Sequence, residues 1–205
     1  MRYKSLRGIV GSSDVEKPAQ KRRFPNASRG RGLMVQASRG DLAAFSEIVR
    51  TYQAPLLNYF LRSGAYYQEA EDLVQETFLR LYRYRERYRP VASFHTFLYT
   101  LARNARADAL RKAGRDPARG TGSLPDEDPP QPDRTPLTGA RLDLDEALGR
   151  LSEKLRSTVV LTAFQGLSYP EAAEVLGIPL GTVKSRIFIA LRKLRKWLEE
   201  GEEDA

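Results

Sequence analysis

Lys184, Ser185 and Arg186 are followed by Arg192 and Arg195, and all five lie off an apolar stripe made by Val183, Ile187, Leu191, Leu194 and Leu198. Side chains of these types at helical spacing donate to base edges and phosphates from one face while the other face is buried. The residues just upstream are those needed to present such a helix. Gly166 stops the preceding helix. Ser168 and Glu171 have capping-box spacing, and Pro170 falls in the first turn, where a missing N–H costs nothing. Ala173 is small where two helices must cross, and Gly177 supplies the turn between them. The pattern predicts a helix-turn-helix whose second helix enters a major groove. A plain helical hairpin with a solvated charged face is the alternative. Cap, small residue, glycine and basic helix at the right offsets favour DNA.

A second group of residues suits unpaired bases. Tyr82, Tyr84, Tyr88, Phe94, Phe97 and Tyr99 are interleaved with Arg80, Arg83, Arg85, Arg87, Arg89, Arg103 and Arg106. Aromatic rings stack on bases while arginines track phosphates, so Tyr88, Phe94, Arg103 and Arg106 are candidates for single-stranded DNA. Half or more of the rings are expected in the core. Phe94 and Phe97 come first, because they share a stripe with Leu98, Leu101 and Ala105. Upstream, Ala70, Leu73, Val74, Phe78, Leu81 and Tyr82 form a buried stripe, and Asp72, Gln75, Glu76, Leu79 and Arg83 form another line. That line is either solvated or an interaction face.

Enzyme signatures are missing. His95 is the only histidine and has no nucleophile or metal partner in sight. There is no phosphate-binding glycine loop and no H-E-x-x-H pair. The acids of Asp126–Asp128 sit among prolines, with nothing to hold them as a metal cage. Neither a cofactor nor a metal is expected. The chain has no cysteine, which fits a reducing cytoplasm. No apolar run is long enough to span a bilayer, and the basic N-terminus lacks the apolar core of a secretory signal, so no membrane insertion is expected.

The 205 residues carry a net charge of +8. Residues 1–32 hold nine Lys/Arg against two acids and few large apolar residues, the composition of a flexible basic arm. Residues 113–140 hold six prolines and four glycines and read as a linker. Two basic blocks remain, 33–112 and 141–198, followed by an acidic tail at 199–205. Both blocks read as helical. Asp41 caps a helix that Pro55 kinks or interrupts before Leu56–Leu61. A long helix follows near Gln68–Arg87, then a loop at Tyr88–Ser93, then a helix from Phe94 to about Lys112. In the second block, Asp143–Arg150 is a short helix, Ser152 caps another to Gln165, and the helix-turn-helix follows. The expected fold is all-α: two small helical domains joined by a flexible Pro/Gly-rich linker, the second containing the helix-turn-helix.

The stretches Ala70–Phe78 and Phe97–Asn104 resemble the core-polymerase and −10-binding domain (region 2) of bacterial sigma factors, and Gly166–Arg186 resembles their −35-binding domain (region 4). Two domains on a short linker are similar to the extracytoplasmic-function subgroup. The resemblance implies a promoter-specificity subunit of RNA polymerase with no catalysis of its own. It implies that Asp72, Gln75 and Glu76 bind the clamp helices of the largest polymerase subunit, that the second partner surface of the polymerase is the flap, and that an anti-sigma factor is a further partner. It implies that Asn104 reads the −10 element, that the Tyr88–Ser93 loop holds a flipped base, and that Thr182, Lys184, Ser185 and Arg186 enter the −35 groove. Arg192, later in the same helix, is expected nearer the phosphates. Two departures stand out: Phe97 where the family more often has Trp, and Ile189 where a basic residue is frequent. The competing reading is a stand-alone helix-turn-helix regulator. The expected location is the cytoplasm, at the nucleoid.

Overall fold

The computed structural model describes residues 27–114 and 140–203; the expected linker and most of the basic arm lie outside them. Every element among the described residues is helical. The first block holds α1 (Ala27–Ser38), α2 (Leu42–Arg62), α3 (Tyr67–Tyr84), a 3-10 turn at Arg85–Arg87 and α4 (Phe94–Lys112). The second holds α5 (Ala140–Gly149), α6 (Glu153–Val159) running into a π-helical turn (Val160–Phe164), α7 (Tyr169–Leu176) and α8 (Leu180–Glu203).

Local chemistry sets most of these bounds. The Asp41 side chain accepts from the Ala44 N–H at 3.0 Å and starts α2. Pro55 lies inside α2 without interrupting it, contrary to the possibility of a break there. A mid-helix proline costs about 3 kcal/mol. The buried face of Tyr52, Leu56, Tyr59 and Phe60 on either side of it offsets that cost. Ser93 starts α4 by accepting from the Thr96 N–H at 3.1 Å. Ser152 stands at the start of α6, but its side chain makes no capping hydrogen bond.

In the first block α1 packs on α2 and α4, α2 on α3, and α3 on α4. Met34, Ile48, Tyr52, Leu56, Phe60, Leu81, Phe94 and Leu98 fill the space between them. The helix α1 begins inside the stretch 1–32 that composition marks as an arm, so residues 27–32 are corrected to part of the fold. Arg29 pairs with Glu47 at 2.8 Å. Gly30 is where α1 crosses closest: a Cβ there would lie 2.5 Å from the Tyr52 hydroxyl and 2.6 Å from the Phe94 ring.

In the second block α5, α6 and α7 all pack against α8. The core comprises Leu148, Leu151, Leu155, Val159, Val160, Leu161, Ala172, Val175, Val183, Ile187, Ala190 and Leu194. The two blocks also touch each other, through α2 with α5 and the π turn and through α4 with α7.

The contrast between two glycines of α1 tests this packing. Gly30→Ala should destabilise by about 1–3 kcal/mol, because Tyr52 and Phe94 have no room to yield. At Gly32 a Cβ would meet nothing within 4 Å. Gly32→Ala should therefore be neutral or stabilise by up to about 1 kcal/mol through helix propensity. Urea titrations of both variants measure the difference, and equal midpoints would show that α1 is not clamped at Gly30.

Candidate nucleic-acid and polymerase interfaces

The helix-turn-helix is built as its residues dictate. Gly166 adopts φ 69°, ending the preceding turn. Ser168 and Glu171 form a complete capping box: Ser168 Oγ accepts from the Glu171 N–H at 3.4 Å, and Glu171 Oε2 accepts from the Ser168 N–H at 2.9 Å. Gly177 closes α7 in the left-handed region at φ 66°. On α8, Val183, Ile187, Ala190 and Leu194 are buried against the block. Lys184, Ser185, Arg192 and Arg195 are exposed, and Thr182 and Arg186 are half-buried. Partial burial draws the Arg186 guanidinium below the usual arginine range without discharging it. Ser185 Oγ donates back to Thr182 O at 3.1 Å, so Ser185 presents its oxygen as an acceptor. Phe188, 67% exposed, and Ile189 lie on this outer surface too, an apolar element that the charge pattern hid.

The aromatic and arginine residues of α3 and α4 are sorted by depth. Phe94 is 1% exposed and packs edge-on to Tyr52 at 5.2 Å. Tyr88 is 4% exposed, its hydroxyl buried without a hydrogen-bond partner. As base-stacking rings both are corrected to core, because each ring face is taken by protein. Tyr99 is also buried and donates to Gln165 Oε1 at 2.6 Å. Half-buried Phe97 bridges Tyr88 at 5.2 Å and the exposed Tyr84 at 5.5 Å. Tyr84 thus carries the accessible ring, at the rim of an open hollow of about 320 Å³ lined by Arg80, Arg83, Tyr84, Arg87 and Leu101. Arg80 is committed to Glu76 at 2.7 Å and Asp108 at 2.6 Å. Hydrogen bonds from Arg80 are the main reason the Asp108 carboxyl sits below its usual range.

Arg103 and Asn104 are exposed on α4. Arg106, one turn on, is covered: it donates to Glu153 Oε1 of α6 at 2.5 Å and to Ser63 O at 2.8 Å. The loop 88–93 projects Val91, 92% exposed, and Arg31 of α1 donates to Pro90 O at 3.0 Å, steadying that loop. The other line of α3 presents Asp72 and Gln75 to solvent, while Glu76 is half-buried and tied to Arg80. Beside it lies an open groove of about 360 Å³ lined by Phe45, Val49, Gln75, Phe78, Leu79 and Tyr82.

No group of acids and histidine among the described residues is placed to hold a metal. His95 is buried, and its Nε2 lies 3.1 Å from the Tyr52 hydroxyl. No described helix is long and apolar enough to cross a membrane.

Residues 48–116 match the family Sigma-70 region 2, and residues 141–194 match Sigma-70, region 4. The chain is 33% identical over 178 residues to the RNA polymerase sigma-H factor of Pseudomonas aeruginosa, covering 82% of this chain and 92% of that one. It is 32% identical to the ECF RNA polymerase sigma factor RpoE of Cereibacter sphaeroides, covering 76% of this chain and 87% of that one. A solved structure of the sigma factor RpoE of Bartonella quintana with the anti-sigma factor NepR is also similar, with 26% identity and a TM-score of 0.60, covering 76% of this chain and 96% of that one. The chain belongs to the extracytoplasmic-function (ECF) sigma factors of bacterial RNA polymerase. It is an alternative sigma factor that directs the polymerase to promoters, and the stand-alone regulator is not favoured.

Glu171 gives this region a pH signature. Burial pushes its carboxyl up, but hydrogen bonds from Ser93 and Ser168, with His95 nearby, overcome that and hold it below the usual range. A depressed folded-state value contributes stability above the unfolded value, and that contribution is lost as pH falls through the folded value. Stability should therefore fall as pH drops below about 4, near the ordinary carboxylate value. Glu171→Gln should flatten this acid limb while leaving the neutral capping box in place. Superimposable pH–stability curves for the two proteins would remove Glu171 from the account.

Proposed function

We propose that the exposed faces divide promoter recognition between them. Duplex readout at −35 falls to α8, with Thr182, Lys184, Ser185 and Arg186 at base edges and Arg192 at a phosphate. The observation that carries this reading is a helix buried on one side by Val183, Ile187, Ala190 and Leu194 and basic on the other. Phe188 adds an apolar surface suited to a thymine methyl.

Single-stranded −10 DNA is assigned to α4 and the loop before it. Asn104 and Arg103 reach the strand, Tyr84 offers a ring backed by Phe97, and Arg83 and Arg87 line the adjoining hollow. Unstacking costs a few kcal/mol per base. A stacked ring returns about 1–3 kcal/mol, which makes promoter opening feasible with one or two captured bases. Core polymerase is assigned to Asp72, Gln75 and the neighbouring groove, with the clamp helices as the contact there and the flap as the contact of the second block. Glu76 acts from within, by positioning Arg80. An anti-sigma factor is proposed as a further partner, supported by the complex in which the similar structure was solved. The proposed location is the cytoplasm, at the nucleoid, and no catalytic activity is assigned.

The deciding assay is transcription by purified core polymerase with this protein on a promoter library. Sequence-selective initiation supports the reading. Tight duplex binding with no dependence on core would overturn it in favour of a stand-alone regulator. Replacing Asp72 and Gln75 together by Ala should weaken core binding several-fold in a competition assay. Stability should move by no more than about 0.5 kcal/mol, because both are exposed. On α8, Arg186→Ala should relax preference at particular −35 positions. Arg192→Ala should weaken all sequences alike and reduce the slope of log affinity against log salt by about one. Holoenzyme binding to a −35 library at several salt concentrations separates the two, and a uniform loss for Arg186→Ala would move base reading to another residue of α8.

A further inference from the structure

The helix α1 lies before the region 2 match, which begins at residue 48, and none of the roles above uses it. Its place is nonetheless fixed against the loop 88–93. It packs on the 3-10 turn Arg85–Arg87 that leads into that loop, and Arg31 donates to Pro90 O at 3.0 Å. Gly30, closed in by Tyr52 and Phe94, leaves α1 little room to shift. The first turn of α1 therefore stands beside the loop, and the chain enters the fold there. The charge at this place is of one sign. No acid occurs in α1. Arg29 is paired with Glu47. Arg31 is exposed, and its partner among the described residues is a carbonyl, which leaves its charge uncancelled. Arg87 and Arg89 are exposed on the adjoining turn and loop. Residues 1–26 hold seven Lys/Arg against two acids, and Lys17, Lys21, Arg22 and Arg23 fall in the ten residues that precede α1.

We propose that Arg31 and the basic run that leads into α1 form a third DNA contact, which grips backbone phosphates next to the base held by the loop 88–93. This rests on the assignment of that loop to the −10 strand. The tie from Arg31 to Pro90 is what favours DNA over an acidic face of the polymerase: a strand seated on the loop passes within reach of that guanidinium. Guanidinium and ammonium groups there continue the line of Arg87 and Arg89, so the strand meets positive charge on both sides of the held base. Contacts to phosphates carry no sequence information. The element therefore adds affinity and salt dependence to promoter binding, while selectivity stays with α4 and α8. Arg31 has a double part, since it steadies the loop through one N–H and leaves others for a phosphate oxygen.

The test uses the full chain in holoenzyme with core polymerase, on a duplex carrying the promoter that the transcription library selects. Replacing Lys17, Lys21, Arg22 and Arg23 together by Gln should weaken binding about tenfold or more at about 0.1 M salt. The slope of log affinity against log salt should fall by about three, and the order of preferred promoters should not change. Arg31→Gln keeps a donor for Pro90 O and loses the charge, so it should reduce the slope by about one. The chain has no cysteine, and a side chain at Gly32 meets nothing within 4 Å. Gly32→Cys therefore carries a single iron chelate, whose cuts should cluster on a few nucleotides beside the −10 element. An unchanged slope in both variants, or cuts scattered along the duplex, overturns this contact; continued selection of the same promoters would then leave the loop assignment standing. An unchanged slope with weaker competition for core polymerase overturns it in favour of an acidic polymerase face. If the library selects no promoter, the assignment of the loop fails and this contact fails with it.

Discussion

One carboxylate joins the starts of two helices. Ser93 begins α4, Ser168 begins α7, and Glu171 reaches both: Oε1 takes the Ser93 hydroxyl and Oε2 takes the Ser168 N–H and hydroxyl. Helix starts carry unsatisfied N–H groups and partial positive charge. Two of them facing each other would repel, and the negative charge between them turns that repulsion into cohesion. The orientation of α7 on α4 follows, and with it the outward aspect of α8, since α7 and α8 are held at a fixed angle by the left-handed turn at Gly177. The depressed acidity of Glu171 is the electrostatic record of the same arrangement.

Arginine serves two purposes in this fold, and exposure tells them apart. Arg62, Arg80 and Arg106 are largely withdrawn and paired with acids. They behave as structural cross-links between elements. Arg83, Arg87, Arg103, Arg192 and Arg195 are exposed on the faces assigned to nucleic acid. Composition counts all of them alike as positive charge. The basic balance therefore overstates the surface available to a polyanion, and the paired arginines account for part of it.

What the sequence made legible was local. Capping box, Pro170 and Gly177 act over three or four residues and stand where spacing put them; on the α8 stripe Val183, Ile187 and Leu194 are buried, Leu191 is half-buried with Ala190 buried beside it, and the Leu198 side chain lies outside the described residues. The bounds of α4 followed from Ser93 and the apolar stripe in the same way. The aromatic residues were different. Tyr88 and Tyr84 look equivalent in a run of rings and arginines, and only packing in three dimensions decides that the first is buried and the second is accessible. The start of α1 was hidden for a related reason: Gly30 lowers helix propensity and suggests an arm, yet its missing side chain is what lets α1 approach Tyr52 and Phe94. The polar pairs between the two blocks join residues at least 47 positions apart, and no local pattern carries that information. The assignment of α3 residues to a polymerase face rests on resemblance, not on periodicity, which does not exclude a merely solvated face.

The π turn at Val160–Phe164 has a consequence of phase. Gln165 N–H bonds to Val160 O, five residues back instead of four. A π turn is in effect one residue inserted into an α-helix. At 3.6 residues per turn, that residue rotates everything after it by about 100°. The rotation is what brings Phe164 under Arg62 and Gln165 against Tyr99. Losing one residue there would leave the second core able to form but would dial the helix-turn-helix round by a quarter-turn or more relative to the −10 surface. Lineages that gain or lose such a residue would change the geometry between the two faces proposed for promoter DNA in a single step, with the side chains on those faces unaltered.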